Sequence, residues 1–478
     1  MGKQPEYEKN LVFSTFCHLI ACSFTSITLF LFNTIFNAQK TPFIDEVFHI
    51  PQAQKFCNGS FFEWDQKITT LPGLYLLSVG VLSPLSKLAD TDLCSVYGLR
   101  AINFVVCVIN FYLFYVLCNI LQKNESNKDE VKWKYLVTAL NLSIFPVLYF
   151  FTFLYYTDSL STCLVLLSYV LHLQNKNYLS ALIGFISVLV RQTNIVWLFL
   201  FAVDLVVEVL KAEAMKNRKK KLASDDETKF KYFEVLLSTV AETSKRGSYH
   251  ISHLIGRIVG HTFPFTLLGL SFILFYIFNG GVVIGDRSAH TPVLNIPQLF
   301  YFAFFSTMLS LPLAVTHVKE FIHSVSSNKQ YVFILFVISV IVVYECTHVH
   351  PYLLADNRHY TFYIWKRLYS NMLFKYLVIP VYLFGLFYIK SAIQHSHITF
   401  KIFFWFCVVL SIVPQKLLEF RYFIIPYILF RLQIQSATWF QLILEGVIYF
   451  FINAFTIYLF VIKTFYWVDS QEPQRIIW

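Results

Sequence analysis

Two adjacent carboxylates, Asp45 and Glu46, open the stretch FIDEVFHIPQAQ at residues 43–54, and a third, Asp158, heads an apolar run in TDSLST. A carboxylate set against a sugar hydroxyl can take its proton and turn the oxygen into a nucleophile. Cations recur in similar segments between apolar runs: Arg191 in RQTN, Arg287 in GDRSAH, Arg358 and Lys366 in HPYLLADNRHYTFYIWKR, and Arg421 in PQKLLEFRY. Arg grips phosphate with a planar fork and Lys grips it as a point charge. Several such cations facing one pair of carboxylates would suit a phosphate leaving group beside a base.

Each residue also has a plainer explanation. Acidic pairs are common where a loop leaves a membrane, and Asp158 can cap a helix. His49, His350 and His359 can be hydrogen-bonded loop histidines. Trp64 and Tyr75, near Asp65 and Lys67, offer the aromatic and polar mixture of a sugar site, yet aromatic residues also anchor membrane interfaces. Most of the nine cysteines, such as Cys22, Cys107, Cys163 and Cys407, lie in apolar runs and read as small buried hydrophobes. No CxxC or Cys/His pattern points to a metal. Spacing leaves Asp45 and Glu46 equal as candidate bases.

Such residues need a scaffold, and composition selects its kind. Of 478 residues, 56% are hydrophobic and 14% charged, with mean hydropathy +0.58, whereas soluble domains are about a quarter charged. An all-α polytopic membrane protein is expected. The net charge of +10 suits basic cytoplasmic loops, and no basic and aromatic module marks a nucleic-acid partner. Apolar runs at 11–36, 99–121, 133–151, 160–173, 178–190, 195–210, 258–278, 298–316, 331–344, 372–389, 398–413, 421–432 and 440–462 predict about 12 to 14 membrane helices. The first run is too long for a signal peptide and has no cleavage site after it.

Residues 72–88 are apolar enough to insert, but Pro72, Gly73, Gly80 and Pro84 weaken a continuous helix. The most polar segment, 211–257, contains MKNRKKKLASDDETKFK and belongs in the cytoplasm. That orientation follows if 72–88 lies on the opposite surface as an interfacial helix. Segments 37–96, 155–159, 191–194, 285–290, 350–367 and 414–422 then share one far face. There the sequon at Asn58 could carry a glycan, whereas the one at Asn124 could not. Thirteen spans would put the end of the chain on that far face as well, a side that one missed helix would reverse.

The whole stretch FIDEVFHIPQAQKFCNGSFFEWDQKITTLPGLYLLS resembles the signature of the dolichyl-phosphate-glucose-dependent alpha-1,2-glucosyltransferases. VRQTNIVW, GGVVIGDRSAHTPVLNIPQLFYF, HPYLLADNRHYTFYIWKR and PQKLLEFRYFIIPY follow in the same order as in that family, from about residue 40 to about 430. The wider resemblance is to GT-C type glycosyltransferases, multi-pass proteins of the endoplasmic reticulum membrane with lumenal juxtamembrane helices and a lumenal active site. It implies one polytopic domain over 1–478, with 37–96 as a first lumenal loop holding the catalytic motif and 211–257 as a cytosolic loop.

The resemblance further implies a metal-independent, inverting transfer of the terminal glucose of the lipid-linked precursor for asparagine-linked glycans. Dolichyl phosphate glucose would be the donor and the diglucosylated dolichyl-diphosphate-linked oligosaccharide the acceptor, with no cofactor. By the resemblance Asp45 matches the fold's first acidic position, with Glu46 its neighbour, and Asp158 matches the second; Asp45 is the expected base, Glu46 the second choice, and Asp158 is expected to orient the acceptor. Arg287, Arg358, Lys366 and Arg421 are the candidates for donor phosphate, and His49, Gln52, Trp64 and Asp65 those for acceptor. His290 receives no role. A membrane transporter or ion-channel regulatory protein is the competing class, but no matching halves are apparent and the charges gather at membrane faces.

Overall fold

The computed structural model describes residues 6–121, 128–218, 229–287, 291–435, 437–468 and 472–478. His290, the Asn124 sequon and 219–228 of the basic segment lie outside the described residues. Among the described residues the regular structure is helical apart from a two-residue pairing of Thr464–Phe465 with Gln474–Arg475 and a single bridge between His359 and Ile477. In order, α1 (Glu6–Ala38), α2 (Glu46–Cys57), α3 (Gly73–Ala89), α4 (Val96–Leu121), α5 (Lys128–Ser143) and α6 (Pro146–Phe151) form the first part. They are followed by α7 (Thr157–Leu173), α8 (Asn177–Val190), α9 (Ile195–Arg218), α10 (Lys229–Lys245), α11 (Ser248–Asn279) and α12 (Pro297–Leu309). The later helices include Lys329–Glu345, Ile379–Ala392, Ile398–Ile412, Ile424–Leu432 and Trp439–Ile462.

Every expected apolar run falls on a helix, but not every run is one straight crossing. By length and apolarity, five helices among the described residues can cross a membrane: Ser14–Ala38, Val96–Leu121, Ser248–Asn279, Met372–Ala392 and Trp439–Ile462. A sixth is added if Pro297–Leu309 and Leu311–Ser327, bent by 92°, form one span. That count is below the 12 to 14 read from sequence: local breaks divide some runs, and others form shorter helices, among them Thr157–Leu173, Asn177–Val190 and Ile398–Ile412. Pro146 has no N–H to continue α5, so residues 133–151 divide into α5 and α6. Pro312 breaks the 298–316 run in the same way. The 421–432 run becomes a 3₁₀ turn and a nine-residue helix. It lies inside the bundle because Arg431 pairs there with Glu445 (2.7 and 2.8 Å), which also accepts from Asn141 Nδ2 (3.0 Å).

Along α11 and Lys329–Glu345, Phe263, Leu267, Leu274, Phe333, Ile334 and Ile341 are exposed. A ring of bare apolar side chains of this size is a lipid-facing surface. Helix α3 runs through Pro84 without interruption. Its first residue abuts α8 so closely that a Cβ on Gly73 would stand 2.5 Å from the Leu189 carbonyl carbon. Cys57 and Cys94 form a disulfide that ties the end of α2 to the approach of α4. Cys107, Cys163 and Cys407 are buried as expected, whereas Cys22 is exposed on α1.

The six segments expected on one face converge at one end of the bundle. Ile284 and Asp286 N–H groups donate to the Thr69 (3.3 Å) and Gln66 (2.8 Å) carbonyls, and Gln192 Nε2 donates to the Thr69 carbonyl (3.0 Å). Val293 N donates to the Pro414 carbonyl (3.1 Å), and the Arg358 guanidinium lies over the Phe43 ring (6.0 Å). Residues 472–478 reach the same end, where Arg475 donates to the Ala38 carbonyl (2.6 Å).

Candidate active site

Asp45 occupies the position before α2 where an Asp side chain ordinarily caps the helix. It makes no such cap. Ile44, just before it, has φ +53°, a left-handed conformation that costs a β-branched residue roughly 1–3 kcal/mol. The strained turn points Asp45 outward and the next residue inward. Asp45 Oδ2 accepts from Arg421 Nη2 (3.2 Å), with the carboxylate side chain 38% exposed.

Glu46 faces the other way. It is fully buried and accepts four hydrogen bonds: Arg100 Nε (2.8 Å) and Tyr155 N (2.6 Å) on Oε1, Arg100 Nη2 (2.6 Å) and Phe43 N (3.0 Å) on Oε2. Both oxygens are committed to holding the loop before α2 and the turn before α7. A carboxylate so enclosed has no route to a substrate hydroxyl.

Asp158, in the first turn of α7, does not cap that helix. Its Oδ1 accepts from Arg191 Nη1 (2.5 Å), and its Oδ2 lies 3.6 Å from Arg421 Nη1. Arg421 also donates to Glu419 Oε1 (2.6 Å), and its guanidinium sits over the Phe151 (5.3 Å) and Tyr156 (5.1 Å) rings. Arg421 therefore links Asp45, Asp158 and Glu419. Arg421 Nε and Asp158 Oδ2 are buried without a hydrogen-bond partner among the described residues. Asp158, Arg191, Gln415 and Arg421 form the polar side of a small cleft, and Trp197, Ile424, Ile425 and Pro426 supply apolar lining.

The other expected phosphate ligands have local partners instead. Arg287 caps the end of α11, donating to the carbonyls of Val283 (3.0 Å), Gly280 (3.2 Å) and Asn279, because the last turn of a helix leaves carbonyls unpaired. Arg358 pairs with Asp356 (2.7 and 2.8 Å) and stacks on Trp467 (4.6 Å). Lys366 is exposed over the Phe362 ring (5.3 Å). Of the four cations expected there, only Arg421 joins the carboxylates, and Arg191 comes with it.

Among the residues expected to bind acceptor, His49 Nδ1 shares a hydrogen bond with the Tyr75 hydroxyl (2.5 Å), and Tyr75 packs edge-on to Trp64 (5.8 Å). Burial, opposed by Asp45, holds the His49 imidazole below its ordinary pKa. Gln52 and Asp65 are engaged in shaping the loop. Gln52 donates to the Glu63 carbonyl (2.7 Å) and accepts from Asp65 N (3.0 Å), and Asp65 Oδ1 accepts from Lys67 N (2.9 Å). Among the described residues, no three His, Cys, Asp or Glu side chains converge as metal ligands would.

Residues 39–432 match the family described as the DIE2/ALG10 family. The chain belongs to the DIE2/ALG10 family. It is 40% identical over 475 residues to a Mus musculus protein named Dol-P-Glc:Glc(2)Man(9)GlcNAc(2)-PP-Dol alpha-1,2-glucosyltransferase, covering 97% of this chain and 98% of the relative. A Homo sapiens protein of the same name is 38% identical with the same coverage. One from Drosophila melanogaster is 36% identical over 91% of this chain and 93% of its own. No solved structure matches the chain.

Three parts of this DIE2/ALG10 family site escaped the sequence reading. Arg100 is an ionisable residue within an apolar helix, a position that normally demands a buried partner. Glu419 stands two residues before Arg421 in a block that sequence had singled out. Cys57 and Cys94 are the only cysteines in 37–96 and lie outside the long apolar runs, which was signal enough for a pairing.

Proposed function

We propose that the chain transfers glucose from dolichyl phosphate glucose to the 2-hydroxyl of the outer glucose on the diglucosylated dolichyl-diphosphate-linked oligosaccharide. The observation that carries the mechanism is the Asp45–Arg421 pair, a partly exposed carboxylate 3.2 Å from a guanidinium that also faces Asp158. Asp45 takes the proton from the acceptor hydroxyl as its oxygen attacks the anomeric carbon. The bond from that carbon to the phosphate oxygen breaks, and the electron pair leaves with dolichyl phosphate. One displacement inverts the configuration and needs no covalent intermediate. The leaving phosphate gains negative charge, which Arg421 and Arg191 stabilise from the cleft. Asp158 orients both guanidinium groups, and Glu46 anchors the loop that carries Asp45.

His49, Tyr75 and Trp64 form an acceptor wall beside Asp45. The apolar side of the cleft, Trp197, Ile424, Ile425 and Pro426, suits the first isoprenoid units of the donor. The transporter reading has no support from relatives that are named as glucosyltransferases. We place the site on a GT-C type scaffold, with segment 37–96 in the lumen of the endoplasmic reticulum. The disulfide within that segment supports the placement, since such bonds persist in oxidising compartments. An in vitro assay with dolichyl phosphate glucose and the diglucosylated acceptor tests the proposal. Dolichyl phosphate mannose and the monoglucosylated acceptor serve as controls, and transfer only to the latter would overturn the specificity.

A further inference from the structure

Residues 472–478 add no group to the Asp45–Arg421 pair, yet they touch the supports of both halves. Arg475 is 6% exposed. Its Nη1 donates to the carbonyls of Phe460 (2.6 Å) and Val461 (2.9 Å), its Nη2 to that of Ala38 (2.6 Å), and its Nε to Gln39 Oε1 (3.1 Å). One guanidinium thus closes the last turns of α1 and of Trp439–Ile462, where carbonyls lack helical partners and the dipole favours a cation. Gln39 carries the constraint onward. Its carbonyl accepts from Arg100 Nη1 (2.5 Å), and Arg100 grips Glu46, the neighbour of Asp45.

The far end of the segment supports Arg421. Ile477 is fully buried, donates to the Arg358 carbonyl (2.7 Å) and accepts from Tyr360 N (3.0 Å). The Trp478 carbonyl accepts from His359 Nδ1 (3.0 Å). The Trp478 indole packs edge-on to Tyr360 (5.2 Å) and to Phe420 (5.7 Å), the residue before Arg421.

We infer that residues 472–478 are a clasp that sets the spacing of Asp45 and Arg421, with Arg475 and Trp478 as positioning residues. The inference rests on the roles proposed above for Asp45 and Arg421. These two residues lie 376 positions apart and share one partly exposed contact. A half-solvated ion pair holds its members weakly, so their spacing must come from what lies behind them. A misplacement of about 1 Å costs roughly a hundredfold in rate.

The test uses the full chain, purified, with dolichyl phosphate glucose and the diglucosylated acceptor. Trp478→Ala and Arg475→Ala should lower kcat about 10- to 100-fold per folded molecule, with the donor KM within about twofold. Trp478→Phe should restore most of it, and Arg475→Lys only part, since one ammonium cannot reach all four acceptors. Wild-type kcat in both alanine variants would remove the clasp, as would a loss that only follows folded yield, or no recovery in the Phe and Lys variants. Asp45→Asn is measured alongside. If it is inactive while the alanine variants are normal, the base stands and the clasp falls; if it keeps full activity, the base assignment fails and the clasp with it.

Discussion

Replacing Asp45 by Asn and Glu46 by Gln should separate chemistry from architecture at two neighbouring positions. Each change keeps size and removes one charge. At position 45 the lost contact is a single 3.2 Å pairing of a side chain 38% exposed, which contributes at most about 1 kcal/mol to stability. The general base proposed at this position would contribute about a hundred- to ten-thousand-fold in rate, or about 2.7 to 5.4 kcal/mol at 1.36 kcal/mol per decade. At position 46 the change weakens a fully buried ion pair, and breaking such a pair costs about 3–5 kcal/mol. Asp45→Asn should therefore melt within a few degrees of wild type in detergent and lose transfer by at least a hundredfold. Glu46→Gln should give low folded yield and a much lower melting temperature. Glucose transfer from radiolabelled dolichyl phosphate glucose, normalised to monodisperse protein, reads the first effect, and thermal unfolding reads the second. A stable Glu46→Gln without activity, beside an active Asp45→Asn, would exchange the two roles and refute the geometric reasoning.

Arg421→Gln should lower kcat about 10²- to 10³-fold through loss of charge at the leaving phosphate. Arg421→Lys should recover only part of that in the same assay, because a point charge cannot reproduce the fork between Glu419 and Asp158. The His49 imidazole is held below its ordinary pKa by burial, so its stabilising contribution is complete above the ordinary imidazole range. That contribution is lost as pH falls through the depressed folded value, and a His49→Asn variant should lose melting temperature less steeply across this window. Asn58 is exposed just past α2, so glycosidase treatment of protein made in cells should produce a mobility shift that Asn58→Gln abolishes. A glycan at Asn124 in its place would reverse the assigned sidedness.

Composition and apolar runs foretold the helices, and the charge map foretold which six segments meet. What they could not convey was orientation. Asp45 and Glu46 are adjacent, and about 100° per residue in a helical turn, together with the φ of Ile44, decides which of them faces the cleft. The cations show the same limit. Arg287, Arg358 and Arg421 are alike in type and in distance from an apolar run, but carbonyls at the end of α11 take the first and Asp356 takes the second. Crossing number also escaped, because an apolar run records burial or lipid contact without telling them apart, as buried Arg431 in the 421–432 run demonstrates.

The separation of 376 residues between Asp45 and Arg421 has a consequence for biogenesis. A chain emerging from the ribosome has Asp45 and Asp158 in place long before Arg421 exists, so Asp158 can meet Arg191 early while Asp45 waits for its cation. Domains made from the amino-terminal side fold as they appear, but this pair forms only after nearly all the other helices have inserted. Products truncated before Arg421 therefore keep the Asp158–Arg191 and Glu46–Arg100 pairs but lack the guanidinium that joins Asp45 to Asp158. Formation of the Asp45–Arg421 pair doubles as a report that synthesis has reached its final helices.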